Sequence, residues 1–146
     1  MAYNNVSSSY KETKVKTAGQ GQLIIMLYDE AVRQLNLAVE QLELNSEKKD
    51  PGKIESISKC VTKAEEIITE LMVSLDFEQG GEISHNLFSL YTWFNRELVE
   101  ANISHDVKRM ATVRDMLAAL RNTWNEVAVK HQEPVNREVI GLDIAG

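Results

Sequence analysis

The sequence has few residues that interrupt helices or cross-link chains: two prolines and one cysteine in 146 residues. The single cysteine, Cys60, excludes an internal disulfide. Pro51 and Pro134 both lie where helix boundaries are expected, so the rest of the chain favours long uninterrupted helices. A chain of this length fits one domain with a single core.

The chain also lacks a basic excess and a long apolar run. Its formal net charge is −6 with scattered lysines and arginines, whereas binding to nucleic acid requires a basic stripe. It contains no run of about 18 apolar residues, so we expect no membrane insertion. The first residues do not form a charged segment followed by a long apolar one, which, with the lone cysteine, predicts a cytoplasmic protein.

Four segments carry apolar residues at alternating steps of three and four, which predicts amphipathic helices at about 20–44, 51–75, 82–102 and 106–130. The helices have similar lengths, the links are short, and no period-two strand pattern occurs. We therefore predict an all-α fold, an antiparallel up-down-up-down four-helix bundle.

In this organisation the bundle occupies residues 17–130. Residues 1–16 are rich in asparagine and serine, and we expect a flexible N-terminal arm there. Residues 131–146 form a C-terminal tail that is too apolar for a plain solvated end. The sequence is compatible both with a tail packed along the bundle and with a mobile one.

Local signals predict how the helices begin. Asp50 can cap the second helix, with Pro51 at its first position. Ser104 or Asp106 can cap the fourth. The adjacent glycines Gly80 and Gly81 tolerate left-handed backbone angles, so we expect them to form the tight turn between helices two and three.

Two kinds of chemical site could use the histidine near the start of helix three. Glu82 and His85 form one Glu-x-x-His pair, but a di-metal site needs a second pair, and none exists in the chain. A histidine phosphotransfer bundle would carry its histidine mid-helix and follow it with a Lys-Gly pair, whereas His85 is followed by neither residue and lies near the helix start. A phosphotransfer or metal-binding bundle is the alternative class. No Gly-rich phosphate loop or nucleophile elbow occurs, so an enzyme is not expected.

The apolar residues exceed what the core of a small bundle requires. Those beside the inner stripes are Ile25, Met26, Ile67, Met72, Phe88, Tyr91 and Trp93. If part of this excess lines a continuous surface, that surface would bind an amphipathic partner segment.

Several ordered pieces of the sequence resemble the FliS family of flagellin-specific export chaperones. They are TAGQGQLIIMLYDEAV at 17–32, SLDFEQGGEISHNLFSLYTWFNREL at 74–98, Ala101 with Asn102, and the later Leu120, Arg121 and Trp124. The resemblance covers about residues 10–127. Where the family often has Thr-Ala-Ser-Pro, residues 17–20 read Thr-Ala-Gly-Gln, so the start of helix one can fray or shift.

The resemblance implies an antiparallel four-helix bundle that binds the C-terminal segment of flagellin in the cytoplasm. It implies that binding prevents premature polymerisation and assists delivery to the flagellar export gate. It also implies that no nucleotide or metal cofactor is required. The sequence is compatible with a monomer and with a homodimer.

The resemblance also suggests which residues contact flagellin. They are Tyr10 in the arm, Leu23, Met26, Leu27 and Tyr28 in helix one, and Ile83, Asn86, Leu87, Leu90 and Tyr91 in helix three. Tyr10 matches an aromatic residue in a family segment that can lie over part of the binding surface. Because Tyr28, Leu87 and Leu90 also lie on inner stripes, packing in the core is the competing interpretation for them.

Overall fold

The computed structural model describes residues 19–48 and 50–131, and these residues form four helices and no strand. The helices are α1 (Gln20–Leu44), α2 (Pro51–Val73), α3 (Phe77–Ser104) and α4 (Val107–His131). Tyr10, with the rest of the arm, and residues 132–146 of the tail lie outside the described residues.

The helices pack in a ring in which consecutive helices are neighbours and α4 closes against α1. Short links join the helices, so neighbours run antiparallel, which confirms the predicted up-down-up-down four-helix bundle. Helix α1 packs most extensively, against α2 and α4, and α3 packs less extensively on both of its sides. Helix α3 therefore lies diagonally opposite α1 and leaves more of its surface uncovered.

The core follows the predicted three-four stripes. Its largest fully buried side chains include Tyr28 and Leu35 of α1, Ile68 of α2, Phe94 of α3 and Leu117 of α4. Burying a side chain of this size stabilises the fold by about 1.5–3 kcal/mol relative to leaving it exposed. The apolar stripes of all four helices thus pack together in one hydrophobic core.

The predicted start of α2 is confirmed. The Asp50 carboxylate accepts a hydrogen bond from the amide of Gly52 at 2.9 Å, and Pro51 occupies the first turn. The buried side chain of Asn45 closes the preceding link, because its oxygen accepts from the amide of Asp50 at 2.9 Å. Helix α1 instead begins after Gly19, which supplies no side-chain cap.

The structure also shows which of the two predicted residues caps α4. Asp106 is the cap, since its carboxylate accepts from the amide of Arg109 at 3.1 Å. Ser104 bonds back into its own helix, donating to the carbonyl of Glu100 at 2.7 Å. His105, with φ of 56°, ends α3 in the left-handed conformation.

The link between α2 and α3 differs from the predicted glycine turn. Helix α2 ends at Val73, and the carboxylate of Asp76 already caps α3 by accepting from the amides of Glu78 and Gln79 at 3.1 and 3.0 Å. Because Asp76 satisfies two amides that have no partner within the helix, α3 begins there and not after the glycines. Gly81, with φ of 51°, instead makes a kink one turn into α3.

Gly80 is required beside this kink for space. A Cβ atom at Gly80 would lie 1.8 Å from the hydroxyl oxygen of Ser84. That hydroxyl donates to the carbonyl of Asp76 at 2.9 Å and is buried. The two glycines therefore fix the direction in which the long part of α3 leaves its first turn.

None of the helices in residues 19–48 and 50–131 carries an apolar stretch long enough to cross a bilayer.

Candidate functional site

One ion pair marks the register between α3 and α4. The guanidinium of Arg109 donates to the carboxylate of Glu97 with an Nε to Oε1 distance of 2.9 Å. The helices are antiparallel, so each step towards the start of α3 matches a step towards the end of α4. Leu90 is then level with Met116, and Ile83 is level with Thr123.

The face of α3 that meets α4 is largely apolar. Positions four, seven, eleven and fourteen residues before Glu97 lie on the same side of the helix as Glu97. These positions are Trp93, Leu90, Asn86 and Ile83. Trp93 and Leu90 are half-buried, whereas Asn86 and Ile83 are exposed.

The facing side of α4 is apolar as well. Positions seven, eleven and eighteen residues after Arg109 share its side of the helix, and they are Met116, Leu120 and Val127. Met116 and Leu120 are half-buried and pack against the core, while Val127 is exposed. We call the surface formed by Ile83, Asn86, Leu90, Trp93, Met116, Leu120 and Val127 the α3–α4 seam.

The seam has a half-buried floor and one exposed end, at Ile83 and Val127. Leu90, Met116 and Leu120 pack on the core yet remain partly accessible, and Ile83 is 68% exposed. Its length, from Trp93 to Ile83, is about 15 Å at 1.5 Å per residue. That length matches about three turns of a helical ligand.

The opposite flank of α3, towards α2, is joined by polar contacts. The side-chain amide of Asn95 donates to the hydroxyl of Thr69 at 3.2 Å, and Ser58 donates to the side chain of Asn102 at 3.3 Å. Burial, followed by the nearby charge of Glu66, raises the pKa of Glu65 on this flank. The mainly apolar side of α3 is therefore the side that faces α4.

Beneath the seam, three aromatic side chains from three helices meet. The indole of Trp124 in α4 donates to the hydroxyl of Tyr28 in α1 at 3.2 Å, and that hydroxyl is also hydrogen-bonded to the hydroxyl of Tyr91 in α3. Burial raises the pKa of Tyr28 and that of Tyr91, so both phenols stay neutral at physiological pH. The contact links α1 to the diagonally opposite helix α3.

The residues that the sequence suggested for flagellin contact differ in burial and lie on two different helices. In α1, Leu23, Leu27 and Tyr28 are buried and Met26 is half-buried. In α3, Tyr91 is buried, Leu87 and Leu90 are half-buried, and Ile83 and Asn86 are exposed. Because α1 and α3 are diagonal, these two groups do not form one continuous surface.

Buried positions cannot touch a ligand while the bundle keeps this arrangement. Tyr28 is 0% exposed and Tyr91 is 2% exposed, so both brace the bundle from inside. Sequence reasoning missed the α4 side of the seam, Met116, Leu120 and Val127. Leu120 and Val127 continue the three-four apolar pattern of α4, and no local signal in the sequence shows that they lie at the edge of the core.

The structure places His85, the histidine of the alternative class, in the part of α3 that follows the kink at Gly81. The ring of His85 is exposed and lies against Phe77, with ring centroids 4.8 Å apart. Phe77 also contacts Phe88 at 5.9 Å, so the histidine belongs to an aromatic cluster at the kink. Within residues 19–48 and 50–131, no three His, Cys, Asp or Glu side chains converge as a metal site would require.

The described residues form an all-α four-helix bundle with a half-open apolar seam between two of its helices. Residues 2–132 match the family described as Flagellar protein FliS, and the chain belongs to this family. The match confirms the family resemblance found in the sequence.

Curated relatives are similar to this chain over most of their length. The Flagellar secretion chaperone FliS of Bacillus subtilis (strain 168) is 31% identical over 126 residues, covering 86% of this chain and 88% of the relative. The proteins of the same name from Salmonella typhimurium and Escherichia coli (strain K12) are 34% and 33% identical, covering 88% and 79% of this chain and 89% and 80% of the relatives. These relatives are named as chaperones, and the family is not one of enzymes.

Proposed function

We propose that this protein is a flagellar secretion chaperone that binds the C-terminal segment of flagellin along the α3–α4 seam. The observation that carries the proposal is the floor of the seam, where Leu90, Met116 and Leu120 pack on the core but stay accessible. A row of partly exposed apolar side chains in the groove between two helices can bind the apolar face of a ligand. Membership of the FliS family, whose curated relatives are named flagellar secretion chaperones, supports a substrate of flagellar export as the partner.

The seam suits a ligand that folds on binding. A seam of about three turns accommodates a helix that presents apolar side chains at positions i, i+3 or i+4, and i+7. Ordering a disordered segment costs about 2–5 kcal/mol, which burial of apolar surface must exceed. We therefore expect binding to show a negative heat-capacity change.

The proposal divides the suggested contact residues by role. Ile83 and Leu90 contact flagellin in the seam, half-buried Leu87 contacts it beside the seam, and the exposed amide of Asn86 bonds the ligand backbone at the edge. Tyr28 and Tyr91 hold the helices that form the seam in position. On α1, half-buried Met26 is the most accessible of the suggested residues and belongs to a separate, lesser contact.

In the cell, binding would take place in the cytosol before export. A covered flagellin segment cannot pair with other subunits, so the chaperone prevents premature polymerisation. The loaded complex is then delivered to the flagellar export gate. No nucleotide or metal cofactor takes part in this scheme.

The proposal is tested by calorimetric titration of the full chain with a flagellin C-terminal peptide and a scrambled control. We expect binding of the true peptide only, with a negative heat-capacity change. Equal heats from both peptides would overturn the assignment.

A matched pair of variants locates the site. Ile83→Asp changes a 68% exposed residue in the seam, and Ile103→Asp changes a 72% exposed residue at the far end of the same helix. Both should leave stability within about 0.5 kcal/mol, because both side chains are largely solvated. We expect Ile83→Asp alone to weaken peptide binding, by about tenfold or more. Equal effects of the two variants would move the site away from the seam.

For the N-terminal arm, we propose that Tyr10 competes with flagellin for part of the binding surface. A protein beginning at Thr17 should then bind the peptide more tightly than the full chain. Unchanged or weaker affinity of that protein would rule out competition by the arm.

A further inference from the structure

We propose that the C-terminal tail, residues 132–146, docks in the α3–α4 seam of the free protein and is displaced by the export substrate. The inference rests on the proposed function for the identity of the substrate, but not for the docking itself. It concerns a contact within one chain.

The first argument is where the tail leaves the bundle. The Glu97–Arg109 pair places the end of α4, at His131, level with the link before α3. The tail therefore starts at the open end of the seam, and α4 itself forms one wall of that seam. A chain that reverses direction there runs directly over Ile83 towards Leu90.

The second argument is reach. The level of Met116 lies about 22 Å below His131 at 1.5 Å per residue. The eleven residues from His131 to Leu142 span up to about 36 Å when extended. With residues 135–142 helical, the same stretch still spans about 24 Å, from four extended residues and seven helical ones, which covers the distance to the level of Met116 and Leu90.

The third argument is chemical complementarity. Fifteen residues of tail contain the aliphatic residues Val135, Val139, Ile140, Leu142 and Ile144. Val135, Val139 and Leu142 are spaced at i, i+4 and i+7, the anchor pattern of a helix in an apolar groove. The floor of the seam offers aliphatic side chains, and its mouth carries the exposed Ile83.

Because the tail is covalently attached to α4, even a weak contact is sufficient for it to occupy the seam. A short linker gives an attached segment an effective concentration on the order of millimolar, so weak binding of the tail still fills the seam. A tail that occupies the seam in about nine of ten molecules raises the apparent dissociation constant of a competing ligand about tenfold. The tail would thus exclude weak apolar ligands while flagellin, with a larger contact, displaces it.

The test uses the full chain with a nitroxide spin label at Asp143→Cys, in a Cys60→Ser background. We expect the label to broaden the methyl signal of Ile83 much more strongly than that of Ile103, since Ile103 lies about 30 Å further along α3 than Ile83 does. Adding Val139→Asp to the labelled chain should restore the Ile83 signal. An unaffected Ile83 signal, or equal broadening at Ile103, would overturn the docking.

A mixed sample separates the tail from a second copy of the chain. Spin-labelled protein without isotope label is mixed with isotope-labelled protein that carries no nitroxide. Docking within one chain predicts no broadening in this mixture, and broadening of Ile83 there would overturn the proposal in favour of a dimer contact.

Titration with the flagellin peptide then separates this proposal from the proposed function. We expect Val139→Asp to bind the peptide several-fold more tightly than the unaltered chain, and the peptide to abolish broadening at Ile83 in the labelled protein. Broadening that persists while neither chain binds the peptide would reject the flagellin assignment and support the docked tail. Peptide binding of equal strength to both chains, without broadening, would reject the docked tail alone.

Discussion

The indole nitrogen of Trp124 donates a hydrogen bond, 3.2 Å long, to the hydroxyl of Tyr28, so the end of α4 is joined to the start of α1. The same hydroxyl is bonded to that of Tyr91, which adds α3 to the contact. One phenol therefore positions both walls of the α3–α4 seam. A binding surface between two helices depends on their separation, and this contact helps to set it.

The first prediction concerns the two phenols. Tyr28→Phe should destabilise the bundle by about 1–3 kcal/mol, because it leaves the buried hydroxyl of Tyr91 without its partner. The double variant Tyr28→Phe with Tyr91→Phe should cost less than the sum of the two single variants. Urea unfolding followed by circular dichroism measures all three. Strict additivity would show that the hydroxyls do not act as a pair.

The second prediction concerns alkaline pH. Burial raises the pKa of Tyr28 and that of Tyr91 above the ordinary value of 10.0, so the folded state favours the neutral phenols. Their contribution to stability is full below about pH 10, where unfolded tyrosine is neutral, and is lost as pH rises above it. The loss should approach about 1.4 kcal/mol per pH unit for each phenol.

The double phenylalanine variant is the control for this pH effect. It should lose less stability between pH 10 and 11 than the unaltered chain, since lysines and the other tyrosines titrate in both proteins. Parallel stability curves for the two proteins would contradict the assigned pKa directions.

The third prediction concerns the kink of α3. Gly80→Ala should destabilise the fold by about 1–3 kcal/mol, because the new methyl group displaces the hydroxyl of Ser84 from the carbonyl of Asp76. In a Ser84→Ala background, where that hydroxyl is absent, the same change should cost less. Thermal unfolding of the unaltered chain, the two single variants and the double variant gives the coupling free energy between Gly80 and Ser84. An equal cost of Gly80→Ala in both backgrounds would place the strain elsewhere.

The fourth prediction concerns the floor of the seam. Leu120→Ser should weaken binding of the flagellin peptide by about tenfold, because it removes an aliphatic contact from the floor. The matched control is Leu37→Ser on the exposed side of α1, which should leave affinity unchanged. Calorimetry measures both. A loss of binding confined to Leu37→Ser would place the site on α1.

Stability must be followed beside affinity for Leu120→Ser. Leu120 is half-buried and packs on the core, so the substitution should also cost about 1 kcal/mol of folding free energy. Circular dichroism at the titration temperature shows whether the variant is folded. Reduced binding by a folded protein is the expected result.

The sequence by itself determined the four helices and their packing into a bundle. Helical periodicity is a local property, so the spacing of Ile57, Val61, Ala64 and Ile68 already defines the buried face of α2. The cap at Asp50 was equally readable, because an aspartate followed by proline signals a helix start within three residues. The cap at Asp76 is less readable, because the adjacent glycines Gly80 and Gly81 favour a turn four residues later.

Only the tertiary structure decided which apolar residues form the core and which form a surface. Tyr91 and Ile83 both belong to the apolar pattern of α3, yet one is sealed by Tyr28 from the opposite helix and the other is left at the open end of the seam. That difference depends on where α4 lies and on its register with α3, which the pair between Glu97 and Arg109 reveals. Periodicity specifies the direction a side chain takes from its own helix, whereas burial depends on what the other helices place there.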